Sequence, residues 1–393
     1  MKKPIIIDGK EYDMSSPSSE NFNKRMIESF GDIVHEKISV NWNHIDGFYI
    51  ELFSDKPEEN YSMQIYDNDD VLLYKTNIKN GMYTKLNRKY FNGLKVKIFK
   101  GDFLIKEEII TFKGKNVYIA LDSSSLGDTL AWVPYCEEFR IKHNCNVIVS
   151  TFMNDMFKDQ YPNLNFVTPG NVVHNIHGMF KLGWYYDNSK EPKIPNTVPL
   201  QKTATNILGL DFKEVRPRLN FTPKQRPIDE KYVTICTSAT SGCKVWYVDY
   251  WQELIDYLNS CGYKVAVIQK ESISELNNIL DWTGDLPLED RMNEIYHSEF
   301  FIGLGSGVSW LSWALNKKVV MISNFSEDGH EFTDNTIRIT NKSVCHGCWN
   351  NPNFKFDKGD WYWCPVHKDT ERQFECHKSI TSKMVIDKIK ELL

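Results

Sequence analysis

Short stretches in which apolar and polar residues alternate fill the first quarter of the chain. They run at 37–42, 47–53, 61–66, 71–75, 94–99 and 107–112, with turns rich in Asn, Asp, Gly and Lys between them. Period-two alternation recurring at roughly ten-residue intervals predicts the strands of an antiparallel sandwich or small barrel. A β domain is therefore expected over 1–114, with a poorly ordered polar stretch around Ser15 and Ser19. Its aromatics Phe48, Tyr49, Phe53, Tyr61 and Tyr66 are expected in its core.

From residue 115 the rhythm becomes strand, turn, long helix. The run 116–121 is almost continuously apolar, as for a strand buried on both faces of a parallel sheet. A helix is predicted at 129–143, strands at 146–150 and 165–168, then a loop-rich region at 170–225 with a short helix at 203–210. A second series predicts strands at 232–236, 264–268, 300–302 and 318–322. Its helices are predicted at 250–260, 271–281, 288–296 and 309–315, with a closing helix at 382–393. Two consecutive βα series imply an α/β fold with two doubly wound domains facing a cleft. The expected boundaries are 115–225 and 226–393. No internal repeat or low-complexity tract interrupts them.

The 393 residues suffice for two or three domains, and 41% hydrophobic with 25% charged residues is ordinary for a globular chain. A net charge of -5 argues against nucleic acid as the main partner. The apolar run Ile5-Ile6-Ile7 is too short for a secretory leader, and no stretch approaches the ~20 apolar residues of a membrane span. A cytoplasmic protein is expected. In that reducing compartment Cys136, Cys145, Cys236, Cys243 and Cys261 are expected as packed free thiols.

Three turns carry candidate chemistry. The first, Leu121-Asp-Ser-Ser-Ser-Leu-Gly-Asp-Thr-Leu-Ala131, follows a buried strand and opens a helix. Asp128 at that helix start is either an N-cap or a carboxylate aimed at the cleft as general base, kept ionised by the helix end. The second, Thr237-Ser-Ala-Thr-Ser-Gly-Cys-Lys-Val-Trp246, offers the Thr240 hydroxyl, backbone amides and Lys244 to a diphosphate. Its spacing is not that of a Walker A loop. Taken alone it also fits a solvated loop. The third, Phe301-Ile-Gly-Leu-Gly-Ser-Gly-Val-Ser-Trp310, puts Gly305, Ser306 and Gly307 at a helix N-terminus, where amides bind anions.

Together these three segments resemble the lipopolysaccharide heptosyltransferase family, and most of all its autotransporter heptosyltransferase branch. The resemblance covers roughly 115–393 in motifs. It implies a GT-B fold, an ADP-heptose donor and an inverting reaction. In that reaction Asp128 takes the proton of a serine hydroxyl on an autotransporter adhesin passenger domain. It implies that Lys244 and the loop at Gly305, Ser306 and Gly307 hold the donor diphosphate, and that Glu271 lies near the ribose. Trp310 stands where the lipopolysaccharide enzymes usually have histidine, which favours a protein acceptor over a lipid core. The alternatives are another nucleotide sugar, a glycan acceptor, or a non-catalytic partner-binding subunit.

The remaining cysteines, Cys345, Cys348, Cys364 and Cys376, follow the spacing C-x2-C-x15-C-x11-C. A paired knuckle in a four-thiolate set predicts a structural tetrahedral metal in a finger at about 341–378. Zinc is the generic expectation, and the resemblance implies ferric iron. His346, His367 and His377 could substitute as ligands or tune the site, and solvent-facing positions are expected for them. Trp349, Phe354, Phe356, Trp361, Tyr362 and Trp363 form either a small core around the metal or a surface that docks another subunit. A homo-oligomer is expected, and the N-terminal β domain is expected to help hold it or the acceptor.

Overall fold

The computed structural model describes residues 5–7, 10–12 and 37–393. The polar stretch around Ser15 and Ser19 lies outside them. The chain divides into two compact units, Met1–Asn87 with Asn92–Thr111, and Arg88–Phe91 with Phe112–Leu393.

The elements among the described residues of the first unit are β-strands. β1 (Ile5–Ile7) and β2 (Lys10–Tyr12) form an antiparallel pair. β3 (Ile38–His44), β4 (Phe48–Ser54), β5 (Tyr61–Tyr66), β6 (Leu72–Ile78), β7 (Tyr83–Leu86), β8 (Leu94–Lys100) and β9 (Phe103–Ile110) follow. β4 pairs antiparallel with both β3 and β7, while β6-β5-β8-β9 form an antiparallel sheet. The period of two acts as expected: Tyr61, Met63 and Ile65 of β5 and Leu94, Val96 and Ile98 of β8 are buried. Phe48 is buried as well. Tyr49 and Tyr66 are only half-buried, and Phe53 is exposed. The alternation that buries Leu52 turns the next side chain out, so Phe53 is not a core residue.

The second unit holds two parallel sheets. Its first half contains β10 (Asn116–Leu121), α1 (Leu126–His143), β11 (Asn146–Ser150), β12 (Leu164–Val167), β13 (Gly178–Leu182) and α2 (Leu200–Leu208). Parallel pairing there runs β12-β11-β10-β13. β13 falls in the region read from the sequence as loop. It is five residues long, and its glycine lies under Phe112, where a Cβ would sit 2.7 Å from the ring.

The second half contains β14 (Tyr232–Cys236), α3 (Val248–Ser260), β15 (Lys264–Val267), β16 (Leu280–Asp281), α4 (Leu288–His297) and β17 (Phe301–Leu304). α5 (Gly307–Ala314), β18 (Val319–Ile322), β19 (Thr336–Ile339), α6 (Glu375–Lys378) and α7 (Ser382–Ile389) complete it. Its sheet order is β16-β15-β14-β17-β18-β19, all parallel. That is the doubly wound order in which the strand sequence reverses at the centre, between β14 and β17. The expected helix at 271–281 is absent. Asn278 adopts a left-handed φ of 56°. The Gln252 side chain captures the Asn277 amide at 2.8 Å, and the chain ends in β16 instead. Local Asn and side-chain bonds outcompete a weak helix signal.

The core of this second half joins Val233, Ile235, Trp246, Trp251, Leu254, Val265, Ile302 and Val320. Among the described residues, no helix is long and apolar enough to cross a membrane. All nine cysteines are free thiols; Cys136, Cys145, Cys236 and Cys243 are buried, while Cys261 is exposed rather than packed.

Candidate functional site

In open α/β sheets, ligands bind beyond the carboxyl ends of the strands, at the point where strand order reverses. Three turns leave such ends here: the turn after β10 carries Asp128, the turn after β14 carries Lys244, and the turn after β17 carries Gly305, Ser306 and Gly307.

The first and third turns meet. A Cβ on Gly127 would lie 3.3 Å from Trp310 Cδ1 and 3.6 Å from Gly307 Cα. One on Gly307 would lie 3.2 Å from Leu126 Cβ and 3.4 Å from the Gly127 nitrogen. The N-termini of α1 and α5, one from each half, therefore abut through two glycines. Both ends present unpaired amides and a positive dipole end.

Asp128 sits in the first turn of α1. Its Oδ2 accepts from Ser123 Oγ at 2.6 Å and from Trp184 Nε1 at 2.9 Å. Oδ1 takes no hydrogen bond among the described residues. Burial pushes the carboxyl above its usual range, opposed by those two donors and by the charges of Lys358 and Lys244. Lys358 and Lys244 are therefore the cations within electrostatic reach of Asp128.

Lys244 closes a short 3-10 turn, Gly242–Lys244. Its Nζ donates to the Gly305 carbonyl at 3.3 Å and lies 4.8 Å from the Phe325 ring centre. The loop before it is held by Gln269, whose Oε1 accepts from the Thr237 amide, the Thr237 hydroxyl and the Ser238 amide. Gly305 is glycine for a reason of space: a Cβ there would come within 2.7 Å of Glu331 Oε1. That buried carboxylate is fixed by Ser326 and Arg338. Burial alone would raise its pKa, but Arg338, His330 and Lys244 hold it near about 2. Ser306 Oγ is buried without a partner. Thr240 and Glu271 are exposed, and neither side chain is held in the crevice by a hydrogen bond.

Sequence reasoning missed Trp184, Ser123, Gln269 and Glu331. Ser123 stood inside the first motif. The others come from the turns just after β13 and β15 and from the segment before β19, where no motif marked them.

The cysteine-rich segment folds beside this crevice. Trp363 and Phe325 are buried with Cys243, and Cys348, Trp349, Phe354, Phe356 and Phe374 pack around them. These aromatics form a small core, while Trp361 and Tyr362 remain exposed. The expected outward histidines need correction. His377 is 1% exposed, because α6 turns it under the segment beside Cys376, and burial lowers its pKa to about 4. His367 lies against Glu375 at 3.4 Å and is largely covered. Only His346 is partly open, 3.5 Å from Glu327.

The four thiols lie within electrostatic reach of one another. Burial and neighbouring thiols raise Cys348 to about 12, and Cys376 rises further for the same reasons. Thiols that oppose each other's ionisation are donors a soft metal cation neutralises. Among the described residues, however, Cys348, Cys364 and Cys376 do not join Cys345 in one group at ligand distance. The set whose ligand atoms all lie within 4.8 Å of one another is Cys345, His367 and Glu375.

Two facing Rossmann-like halves, with a carboxylate on one and a lysine on the other, have the layout of a GT-B glycosyltransferase. Residues 185–360 match glycosyltransferase family 9 (heptosyltransferase). The autotransporter heptosyltransferase Aah of Escherichia coli is 36% identical over 355 residues, covering 86% of this chain and 90% of that protein. The autotransporter heptosyltransferase TibC of E. coli O78:H11 is 34% identical over 353 residues, 86% of each chain. BimC of Burkholderia thailandensis, described as an inactive autotransporter heptosyltransferase, is 28% identical over 344 residues, 84% of this chain and 81% of that one. The crystal structure of TibC, an iron-containing dodecameric glycosyltransferase, superposes with a TM-score of 0.80 at 32% identity, over 90% of this chain and 95% of that one. TibC with ADP-D-β-D-heptose bound superposes with a TM-score of 0.79. The chain belongs to the autotransporter heptosyltransferases and is a transferase.

Proposed function

We propose that the protein moves a heptose from ADP-heptose to serine hydroxyls of an autotransporter adhesin, with inversion, and that Asp128 is the general base. The observation that supports this reading is that Asp128 lies at the abutting starts of α1 and α5, within electrostatic reach of Lys244, whose ammonium meets the Gly305 carbonyl. In this reaction the acceptor O–H gives its proton to Asp128, through the unbonded Oδ1. The oxygen's electron pair forms the new bond to the anomeric carbon. The bond from that carbon to the β-phosphate oxygen breaks, and ADP leaves with the pair. Lys244, the Thr240 hydroxyl and the amides of Gly305, Ser306 and Gly307 stabilise the charge gathering on the diphosphate. Glu271 is assigned to the ribose. The raised carboxyl of Asp128 makes it a stronger base once ionised.

By this division, 115–225 is the acceptor side and 226–393 the donor side, with 1–114 an accessory domain. Cys345, Cys348, Cys364 and Cys376 hold a structural metal, iron in keeping with TibC or zinc by the same donor chemistry. When bound it supplies a four-way cross-link and no reacting group. Assembly into a homo-oligomer and action in the cytoplasm accord with the free thiols and with TibC.

The test is a mass measurement of an adhesin passenger fragment incubated with the protein and ADP-heptose. One added heptose residue per modified serine is expected, and none with UDP- or GDP-sugars. A fragment that binds and keeps its mass would mean a partner-binding subunit.

A further inference from the structure

We propose that Trp184 is a positioning residue for the transfer reaction, and that Trp349, the residue after Cys348, holds it in place from the opposite half of the crevice. This rests on the reading of Asp128 as the base.

Both hydrogen bonds to Asp128 converge on one oxygen, and one of them comes from the Trp184 indole. An indole N–H only donates. It therefore favours the ionised carboxylate and fixes which oxygen faces the crevice. Ser123 belongs to the same turn as Asp128 and moves with it, whereas Trp184 stands two residues beyond β13 and is an independent anchor.

The Trp184 ring is held from two sides. Trp132 of α1 lies 6.0 Å away between ring centres, and Trp349 meets it edge-on at 5.3 Å and 82°. Trp349 is itself pinned. Its Nε1 donates to His330 Nε2 at 2.8 Å, and its carbonyl accepts from Asn196 Nδ2 at 2.6 Å. Asn350 Nδ2 donates back to the Asn196 carbonyl at 2.7 Å. His330 Nδ1 lies 3.1 Å from the Val198 carbonyl, which makes Nδ1 the protonated nitrogen and Nε2 the acceptor.

Simple core packing does not account for this pair. Among the buried tryptophans, Trp132, Trp246 and Trp363 donate to backbone carbonyls, while Trp251 and Trp313 leave their indole nitrogens with no partner; none of these five donates to a titratable side chain. Trp184 and Trp349 are only half-buried, and each aims its nitrogen at a specific acceptor. A path of contacts therefore runs from the cysteine-rich segment through Trp349 and Trp184 to Asp128.

The charged groups facing Asp128 are Lys244 and Lys358, and the donors are Ser123 and Trp184. In Trp184→Phe the ring stays and one donor to the carboxylate is lost. The acid limb of kcat/KM then moves to higher pH. The kcat falls about tenfold while the donor KM and the calorimetric ADP affinity stay within about twofold. Trp349→Ala, which touches neither substrate nor Asp128, shifts the acid limb the same way and alters tryptophan emission. Rates are read with ADP-heptose and a passenger fragment across pH 5 to 9. An unchanged acid limb and kcat in Trp184→Phe overturns the inference, whatever Trp349→Ala does. An Asp128→Asn variant that still transfers sugar instead overturns the base assignment on which it rests.

Discussion

Gly127 and Gly307 come from opposite halves of the second unit and lie against each other, a Cβ on Gly127 meeting Trp310 at 3.3 Å and one on Gly307 meeting Leu126 at 3.2 Å. The contact sets how closely the starts of α1 and α5 approach, and hence the width of the crevice between Asp128 and the phosphate loop. Gly307→Ala would place its methyl 3.2 Å from Leu126 Cβ and 3.4 Å from the Gly127 backbone nitrogen. Overpacking costs about 1–3 kcal/mol, partly offset by the ~1 kcal/mol that alanine gains over glycine in a helix. Roughly 0–2 kcal/mol of destabilisation remains, so the melting temperature should fall by a few degrees at most. Transfer should fall about tenfold or more, since small misplacements of reacting groups are costly. Steady-state kinetics beside a melting curve checks this, and wild-type kcat/KM would contradict it.

Gly305→Ala meets a different obstacle. Its methyl would collide with Glu331, which cannot swing aside without leaving Arg338 and Ser326. The loop must move instead, and with it the carbonyl that receives Lys244. ADP affinity measured by calorimetry should weaken about tenfold, about 1.4 kcal/mol. Lys244→Ala should weaken it at least as much, through loss of a charge-assisted contact to phosphate.

Glu191 is 1% exposed, and its Oε2 is buried with no partner. Burial raises its carboxyl to about 8, with only the Asn206 amide opposing. The fold thus binds this proton more tightly than the unfolded chain does. The stability it contributes is fully present below the ordinary carboxyl range and is lost as pH rises through about 8. Glu191→Gln should match wild type in melting temperature at pH 4 and exceed it by a growing margin up to pH 9. A constant gap across that range would contradict the burial argument.

Chelation or Cys376→Ser should loosen the small aromatic core of Phe325, Phe356 and Trp363. The expected result is a lower melting temperature and red-shifted tryptophan emission, with loss of native assembly size. The effect should reach several kcal/mol, as for other structural metal sites. Native size and melting after metal removal would show that the four thiols hold nothing of structural weight.

Strands and helices with strong periods were legible in the sequence. The alternation in β5 and β8 depends on burial alone, and burial is written in residue type. β10 was legible as a strand, although only one of its faces, Val117, Ile119 and Leu121, is buried rather than both. β13 was not legible, because five residues starting with glycine carry too little pattern. The absent helix at 271–281 shows the reverse failure, an apolar spacing overruled by Asn277 and Asn278. At the site, the three turns were readable because glycine, aspartate and lysine follow strands there. Trp184 and Glu331 were not, since their roles arise from contacts between segments distant in sequence. His377 was misjudged because α6 folds it inward beside Cys376, which residue type does not reveal.

The central claim is that Asp128 removes the acceptor proton, and Asp128→Asn tests it most directly. The amide oxygen of asparagine can accept from both Ser123 and Trp184, so the variant should fold. Its melting temperature at pH 8 should be slightly raised, because a carboxylate whose ionisation burial opposes is gone. The decisive measurement is the mass of an adhesin fragment incubated with this variant and ADP-heptose, with ADP affinity confirmed alongside. The account predicts wild-type nucleotide binding and no added heptose; a fragment modified at the wild-type rate would contradict it.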